Sequence, residues 1–583
     1  MPGGRGSRAV RDRAPIPAPS QGLHAPATRS MLRRMNGTQA RPLEGRLALA
    51  APQRDAVRAG VDAFAEGGNA VDAALATAVA LAVTYPHMVS PGGDAFILVH
   101  HPDGRVTALN GSGAAPRAAD AGVLRRRFGV MTHRRPEAAT VPGVMAAWES
   151  LHACGARLPW ARALEPAVRL AAGGVPVARD LAETLAADDG RWAADPGMAD
   201  VFFPAGRLLR EGETLRQPAL AATLRTVAAK GAGAFYRGEI GERFCAGFGV
   251  RGGLLEPGDL VAHETEVTAP LRLEALGHEF LTAAPNSQGF VLLEVLAALH
   301  RLGDWIDPLG AEAGTLARLF AHSVADRRCR LGDPRAGVAA IDDLYAPGRA
   351  EELTAALRDA ASHADGGPVP GDVVPRPDGA PLPGDAVSHP DGDTVALVAA
   401  DDEGYAVAVI QSLFDGVGSG VLEPATGIIC HDRGAGFSLE PGSVNLLRPG
   451  VRPAHSLMPL LVRRGGRLRV IAGTMGGWAQ PQIHTQVLSR LLGRHESAAR
   501  ALAVPRWTVD VDYTGDPALS VWHEGRVPHA ARAALARSGL PLVAGDEVDD
   551  LAGHAQYILI DADGSMDAAS DLRADGRAVV ITR

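Results

Sequence analysis

Lysine is almost missing from this chain: Lys230 is the single one, and arginine supplies nearly all of the positive charge. That bias reads as a property of the source and points to no function. Cysteine is scarce too, and Cys154, Cys245, Cys329 and Cys430 stand too far apart for a disulfide framework or a zinc site. Buried free thiols and a reducing compartment are therefore expected. No apolar run reaches the roughly 20 residues of a membrane helix; Ala70 to Val83, the most apolar stretch, has roughly fourteen. A helix packed on all sides inside a domain is expected there, with Asn69 as its cap. An excess of positive charge is absent as well: the net charge is −8, which argues against a nucleic-acid partner. Residues 1–42 lack the central apolar stretch of about 7–15 residues that a secretory signal carries. They are expected to form a disordered tail on a cytoplasmic protein with no membrane partner. No internal repeat is visible. What is present is ample core, 583 residues at 46% hydrophobic content, enough for a globular protein of two to four domains.

The informative stretch is Asp393 to Leu413. Val395 to Ala400 is apolar and β-branched, Asp402-Glu403-Gly404 is turn chemistry, and Tyr405 to Leu413 is a second buried run. A hairpin with a three-residue loop and a left-handed Gly404 fits this spacing. Its register pairs Asp401 with Tyr405 and so brings Thr394 opposite Ser412. An ordinary Thr–Ser cross-strand pair is the plain reading. The segment before it supports another. From Ala361 to Asp393 the chain is rich in Pro, Gly and Asp, without apolar period, as an exposed loop would be. Scission at Asp393–Thr394 would make Thr394 an N-terminus. Its α-amine, with a reference pKa of about 7.7–8.0, can then take the proton from its own hydroxyl.

Several ordered motifs accompany this hairpin: Gly67-Gly-Asn-Ala-Val-Asp-Ala-Ala74, Tyr85-Pro-His87, Gly92-Gly-Asp94 and Thr140-Val-Pro-Gly143, then Pro285-Asn-Ser-Gln-Gly289 and Gly332-Asp-Pro334. Gly416-Val-Gly-Ser-Gly420, Arg452-Pro453 and Gly473-Thr-Met-Gly-Gly477 follow. From about Leu43 onward the chain resembles the γ-glutamyltranspeptidases of the N-terminal-nucleophile hydrolase class. The resemblance implies an α+β fold, a four-layer αββα sandwich with a helix-rich larger segment. It implies a large-subunit segment, 43–393, and a small-subunit segment, 394–583, both from one precursor and both kept in one folded body. It also implies attack by Thr394, Ser412 steadying the nucleophile, and backbone N–H groups of Gly476 and Gly477 receiving the oxyanion.

The substrate pocket departs from that family. Where glutamate-reading relatives carry an arginine for the substrate α-carboxylate, this chain has Ser112, and a hydroxyl supplies no charge. Phe414 replaces an asparagine that contacts the substrate, and Gly436 an aspartate that holds its ammonium group. His455 and Ser456 stand where relatives line the pocket with two serines. Arg433 is a candidate for the lost positive charge, or a structural arginine of its loop. Val395 and Ala396 follow the nucleophile where relatives continue Thr-Thr-His.

Other features carry less. Gly416 to Gly420 lacks the Lys-Ser/Thr ending of a phosphate loop and reads as a turn. Asp510 and Asp512 read as a solvated strand face, and Asp326-Arg327 as an internal ion pair. His263-Glu264 lacks the second histidine of a zinc helix, and no metal or organic cofactor is expected. Three functions stay open for a small-molecule substrate: γ-glutamyl hydrolysis or transfer through a reorganised site, an amidase or C–C bond hydrolase of a natural-product pathway, and an unprocessed, inactive binding protein.

Overall fold

Two antiparallel sheets lie face to face, and the Thr394 hairpin is at the centre of one of them. The computed structural model describes residues 47–187, 190–362, 392–511 and 519–582. The N-terminal tail, most of the Pro/Gly/Asp-rich segment and the side chains of Asp510 and Asp512 lie outside the described residues.

The first sheet has seven strands in the order Arg577–Ile581, Leu47–Ala51, Gly392–Ala400, Ala406–Asp415, Asp94–His100, Val106–Gly111 and Glu266–Thr268. The second has six: Met566–Ser570, Ala555–Ile560, Arg467–Thr474, Leu460–Arg464, His278–Thr282 and Leu271–Ala275. Side chains alternate across a strand, and this decides the layers. Val395, Leu397 and Ala399 face a helical layer that includes Arg54–Ala65, Ala70–Thr84 and Trp160–Gly173, whereas Val398 and Ala400 face the second sheet. Leu460, Val462, Val470 and Ala472 of that sheet meet a further helical layer containing Gly289–Leu302, Ala313–Arg330 and Gln480–Leu488. The result is the αββα order, an α+β fold. Small residues let the sheets approach closely: a Cβ added at Gly473 would lie 2.4 Å from Ile410 Cδ1 and 3.0 Å from Ala396 Cβ.

The hairpin follows the register read from its residues. Ala406 pairs with Ala400 and Ser412 with Thr394, and Gly404 turns with φ of 102°. Its loop is pinned to the helical layer, because the Asp401 carboxylate accepts from Ala70 N at 2.9 Å, at the N-terminus of Ala70–Thr84. Asn69 and Asp72 complete a capping box there. Helices Trp160–Gly173, Pro218–Lys230 and Ala313–Arg330 add to these helical layers. Asp326 pairs with Arg349, and Arg327 lies over the Trp478 ring, 4.3 Å from its centroid. The four cysteines are free thiols, with Cys245 and Cys430 buried. Among the described residues no helix is long and apolar enough to cross a membrane.

Candidate active site

A bulge in the strand Ala406–Asp415 shapes the site. The register shifts between Ser412 and Phe414, and Phe414 takes a left-handed φ of 81°. Its N–H consequently turns to Ser412 Oγ, at 2.7 Å, instead of continuing the ladder. Ser412 Oγ also accepts from Thr394 Oγ1 at 3.0 Å and donates to the Asp393 carbonyl oxygen at 2.6 Å. The serine hydroxyl thus bridges the Thr394 hydroxyl and the carbonyl of the preceding peptide bond. Thr394 and Ser412 are buried.

Arg433 closes this cluster from below. It opens a short turn, Arg433–Gly436, and its guanidinium is fully buried. Nη2 reaches Ser412 Oγ at 3.5 Å, Nη1 reaches Ser456 Oγ at 3.3 Å, and the guanidinium carbon lies 3.9 Å from the Phe414 ring centroid. His133 stacks on the same ring, with centroids 5.4 Å apart and planes at 24°. Burial pushes the Arg433 pKa down to about 10, against the pull of Asp94 and Asp432, so the group stays charged at neutral pH.

A fully buried carboxylate, Asp94, lies on the neighbouring strand and acts on Arg433 at longer range. Its Oδ2 lies 3.1 Å from His455 Nε2 and 3.4 Å from His431 Nδ1, and Gly113 N donates to Oδ1 at 3.3 Å. Burial alone would raise the Asp94 pKa, but the two histidines hold it far below the carboxylate range. Burial and the Arg433 charge push His455 down to about 3, so its imidazole is neutral near pH 7.

The opposite wall is knitted from two loops. His455 N donates to Asn286 O at 2.8 Å, and Gln288 N donates to His455 O at 3.0 Å. The Gln288 amide then donates to two carbonyls, Ser456 O at 2.7 Å and Gly477 O at 3.0 Å. It therefore couples the pocket wall to the Gly476–Gly477 turn. Both glycines have positive φ, 131° and 51°, which side-chain-bearing residues resist. Residues of the turn Gly477–Ala479 lie within 8 Å, Cα to Cα, of the strand that begins beside Thr394.

Of the residues singled out in the sequence, Thr394, Ser412, Phe414, Arg433 and Ser456 form one linked cluster. His455 joins it through Asp94. Ser112 belongs to the wall: its hydroxyl donates to Asn110 Oδ1 at 2.6 Å and accepts from Asn286 Nδ2 at 3.1 Å. Gly436 sits on the far side of the Arg433 turn, its carbonyl accepting from Asn445 Nδ2 at 2.6 Å. Asp94, Gln288 and His431 were given no role from sequence. The first two stood inside Gly92-Gly-Asp94 and Pro285-Asn-Ser-Gln-Gly289, which was the available signal; His431 had none. His133, Asp415 and Asp432 bring ligand atoms within 4.8 Å of one another, as a metal site would. Arg134 supplies positive charge to that cluster instead: Nε lies 3.1 Å from Asp415 Oδ2, and its backbone N donates to Asp432 Oδ2 at 2.7 Å.

Residues 56–581 match the family model described as Gamma-glutamyltranspeptidase. Among curated relatives, the oxamate amidohydrolase proenzyme of Klebsiella pneumoniae subsp. pneumoniae is 33% identical over 91% of this chain and 97% of its own length. The glutathione hydrolase-like YwrD proenzyme of Bacillus subtilis is also 33% identical, over 91% of this chain and 97% of its own. Among solved structures, cephalosporin acylase from Bacillus halodurans superposes with a TM-score of 0.80 at 30% identity, covering 94% of this chain and 100% of that one.

Proposed function

This chain belongs to the gamma-glutamyltranspeptidase family, and from that premise we propose that Thr394 is both its self-processing residue and its mature nucleophile, acting on short amides that carry a carboxylate. The family and its proenzyme relatives make it an N-terminal-nucleophile hydrolase, made as a precursor and catalysing hydrolysis or acyl transfer. The observation that carries the finer reading is the Ser412 bridge. In the precursor, Ser412 Oγ–H polarises the Asp393 carbonyl at 2.6 Å while Thr394 Oγ1 rests 3.0 Å from the same serine oxygen. Thr394 Oγ1 attacks the Asp393 carbonyl carbon, the Asp393–Thr394 C–N bond breaks as the C–O ester bond forms, and the nitrogen leaves as the Thr394 amine. Water then hydrolyses the ester, giving the Asp393 carboxylate and a free Thr394. The two fragments stay interleaved, because Gly392–Ala400 pairs with Leu47–Ala51 and Ala406–Asp415 pairs with Asp94–His100.

In the mature enzyme the free amine takes the Thr394 hydroxyl proton as Oγ1 attacks the substrate carbonyl. Gly476 and Gly477 N–H groups receive the oxyanion; removing one such donor typically costs about 2.7–4 kcal/mol of barrier. The amine returns the proton to the leaving nitrogen, and water or an amine resolves the acyl-enzyme. Arg433 sets the acyl group. Ser412 Oγ lies 3.5 Å from its Nη2 and 3.0 Å from Thr394 Oγ1, so a carboxylate on Arg433 sits within two hydrogen-bond lengths of the attacking oxygen. Acyl groups with roughly zero to two carbons between carboxylate and scissile carbonyl span that gap. Oxalyl, malonyl and succinyl monoamides meet this requirement, and a relative named for oxamate hydrolysis supports it.

A γ-glutamyl substrate is the second reading, favoured by the relative named a glutathione hydrolase. Ser112, Phe414 and Gly436 weigh against it, since they offer neither the carboxylate nor the ammonium contact of glutamate-reading relatives. A denaturing gel and N-terminal sequencing test the nucleophile: fragments split between Asp393 and Thr394 are expected, and an intact Thr394→Ala chain. Hydrolysis of succinyl and γ-glutamyl anilides by cleaved protein tests the acyl group. Selective γ-glutamyl turnover would overturn the assignment of Arg433. An uncleaved, inactive wild-type chain would leave only the binding-protein reading.

A further inference from the structure

A turn that opens on two glycines gains little orientation from its own backbone, because glycine leaves both dihedrals free. Gly476 and Gly477, with φ of 131° and 51°, therefore take their geometry from what holds the residues around them. Gln288 Nε2 donates to Gly477 O at 3.0 Å, and Ala479 N donates to Gly476 O at 2.9 Å. The remaining hold is on a side chain. Trp478 is the one large side chain in Gly476–Ala479. It is partly buried and packs on an apolar cluster that includes Phe290, Leu331 and Ala454. The guanidinium carbon of Arg327 lies over its ring, 4.3 Å from the centroid.

The arginine stands on a well-anchored platform. Arg327 is buried near the C-terminal end of the helix Ala313–Arg330. Gly332-Asp-Pro334, a motif to which the reaction described so far gives no role, fixes that end. The Asp333 carboxylate accepts from Arg452 N at 2.8 Å and from Arg335 Nη2 at 2.6 Å. The helix is thus tied to the loop that carries His455 and Ser456, and Asp326 pairs it with Arg349 of Pro347–Ser362. A guanidinium over an indole face is the strongest of the cation–aromatic pairs, and more so where water is excluded. We propose that Arg327 is a positioning residue: through the Trp478 ring it fixes the turn, so that the Gly476 and Gly477 N–H groups are aimed before the oxyanion forms. The inference rests on the oxyanion reading given above and holds for whichever acyl group the pocket takes.

The test uses full-length, self-cleaved protein and the faster of the succinyl and γ-glutamyl anilides as substrate. Arg327→Met should lower kcat about tenfold and leave KM within about twofold, as expected when a contact serves only the transition state. Arg327→Lys keeps a cation and should lose only about two- to threefold. Trp478→Leu should match Arg327→Met, and Trp478→Phe, which keeps a ring face, should match Arg327→Lys. The double variant Arg327→Met/Trp478→Leu should fall no further than about either single change, because both remove one contact. Losses that multiply in the double variant, a loss confined to KM, or Arg327→Lys no better than Arg327→Met would overturn the proposal. Where the two truncations fail to fold, wild-type kcat in both Arg327→Lys and Trp478→Phe would overturn it. Gly477→Val separates the inference from the reading beneath it. Undiminished kcat in Gly477→Val, or a wild type inactive on both anilides, would end the oxyanion reading and the inference together. Lost turnover in Gly477→Val beside wild-type kcat in Arg327→Met would leave the oxyanion reading standing and overturn the inference alone.

Discussion

Replacing Arg433 with methionine should separate substrate reading from folding, because the first should fall while stability holds. The guanidinium is fully buried, and its partners among the described residues are two serine hydroxyls and the Phe414 face. Asp94 and Asp432 act on it only at longer range, and burial lowers its pKa to about 10. A buried charge so weakly partnered contributes little to stability, and methionine fills a similar space with flexible apolar atoms. Thermal stability of Arg433→Met should therefore lie within about 1 kcal/mol of wild type or above it. Catalysis should behave differently. A carboxylate accepting two guanidinium N–H groups gains charge-assisted hydrogen bonds of about 1.5–3 kcal/mol each. Losing both removes roughly 3–6 kcal/mol, or about two to four powers of ten in kcat/KM. The assay is steady-state hydrolysis of succinyl anilide beside butyryl anilide, on protein shown by gel to be cleaved. The ratio of the two efficiencies should collapse in Arg433→Met. An equal loss on both substrates, or a drop in melting temperature that accounts for it, would refute the assignment.

Four further outcomes follow from the same geometry. Ser412→Ala should slow self-cleavage at least about a hundredfold, since the Asp393 carbonyl loses its 2.6 Å donor; a time course of fragment appearance measures this, and wild-type kinetics would remove Ser412 from processing. Gln288→Met should lower kcat about tenfold or more with little change in KM, because the Gly477 carbonyl loses its 3.0 Å donor and the turn its orientation; a KM effect alone would make Gln288 a plain wall residue. The acid limb of kcat should report the Thr394 amine: activity rises as it loses its proton, at an apparent pKa below the reference of about 7.7–8.0 because Arg433 disfavours the charged form. Arg433→Met should move that limb to higher pH, and an unmoved limb would count against the amine as base. Stability should fall as pH drops from about 4 to about 2, since burial raises the Asp571 pKa but Arg506 and Arg573 more than offset this and hold it at about 2. The group is charged when folded and favours the folded state above its unfolded pKa, a contribution of about 2–3 kcal/mol. Asp571→Asn should flatten that limb in denaturant titrations; an unchanged slope would contradict the assignment.

The hairpin was legible because its information is local. Turn residues at 402–404 fix the register, and an alternation of two then places Thr394 against Ser412 without reference to the rest of the chain. The helix at Ala70–Thr84 and its Asn69 cap were legible for the same reason. Glycine positions such as Gly476 and Gly477 came through the family resemblance, and their positive φ gives the physical reason for the residue type. Contacts between distant segments were out of reach. The pairing of Asp94 with His455 and His431 spans more than three hundred residues, and no periodicity encodes it. Phe414 could be recognised as a replacement, but its contacts with Arg433 and His133 depend on a bulge that local propensity does not predict.

On the reading proposed above, the Arg433–Phe414 stack accounts for the missing glutamate contacts as one coordinated change. A γ-glutamyl head group carries an ammonium and a carboxylate, which charges of both signs would answer. With a phenyl ring at 414 the asparagine contact is gone, and Gly436 supplies no carboxylate for an ammonium. The position is also short of room, since a Cβ on Gly436 would come 3.3 Å from Ala454 O. On the proposed reading the charge that answers the substrate is Arg433, whose Nη2 lies 3.5 Å from Ser412 Oγ. Phe414 stabilises it there by its ring face and leaves its charge to be answered by substrate. Restoring asparagine at 414 alone should therefore leave γ-glutamyl compounds as poor substrates, because the ring would be gone while Ser112 and Gly436 still supply no charge. The same change should weaken turnover of succinyl anilide by uncovering Arg433 to water. If Phe414→Asn by itself produced efficient γ-glutamyl hydrolysis, the three departures would be independent and the coordinated account would fail.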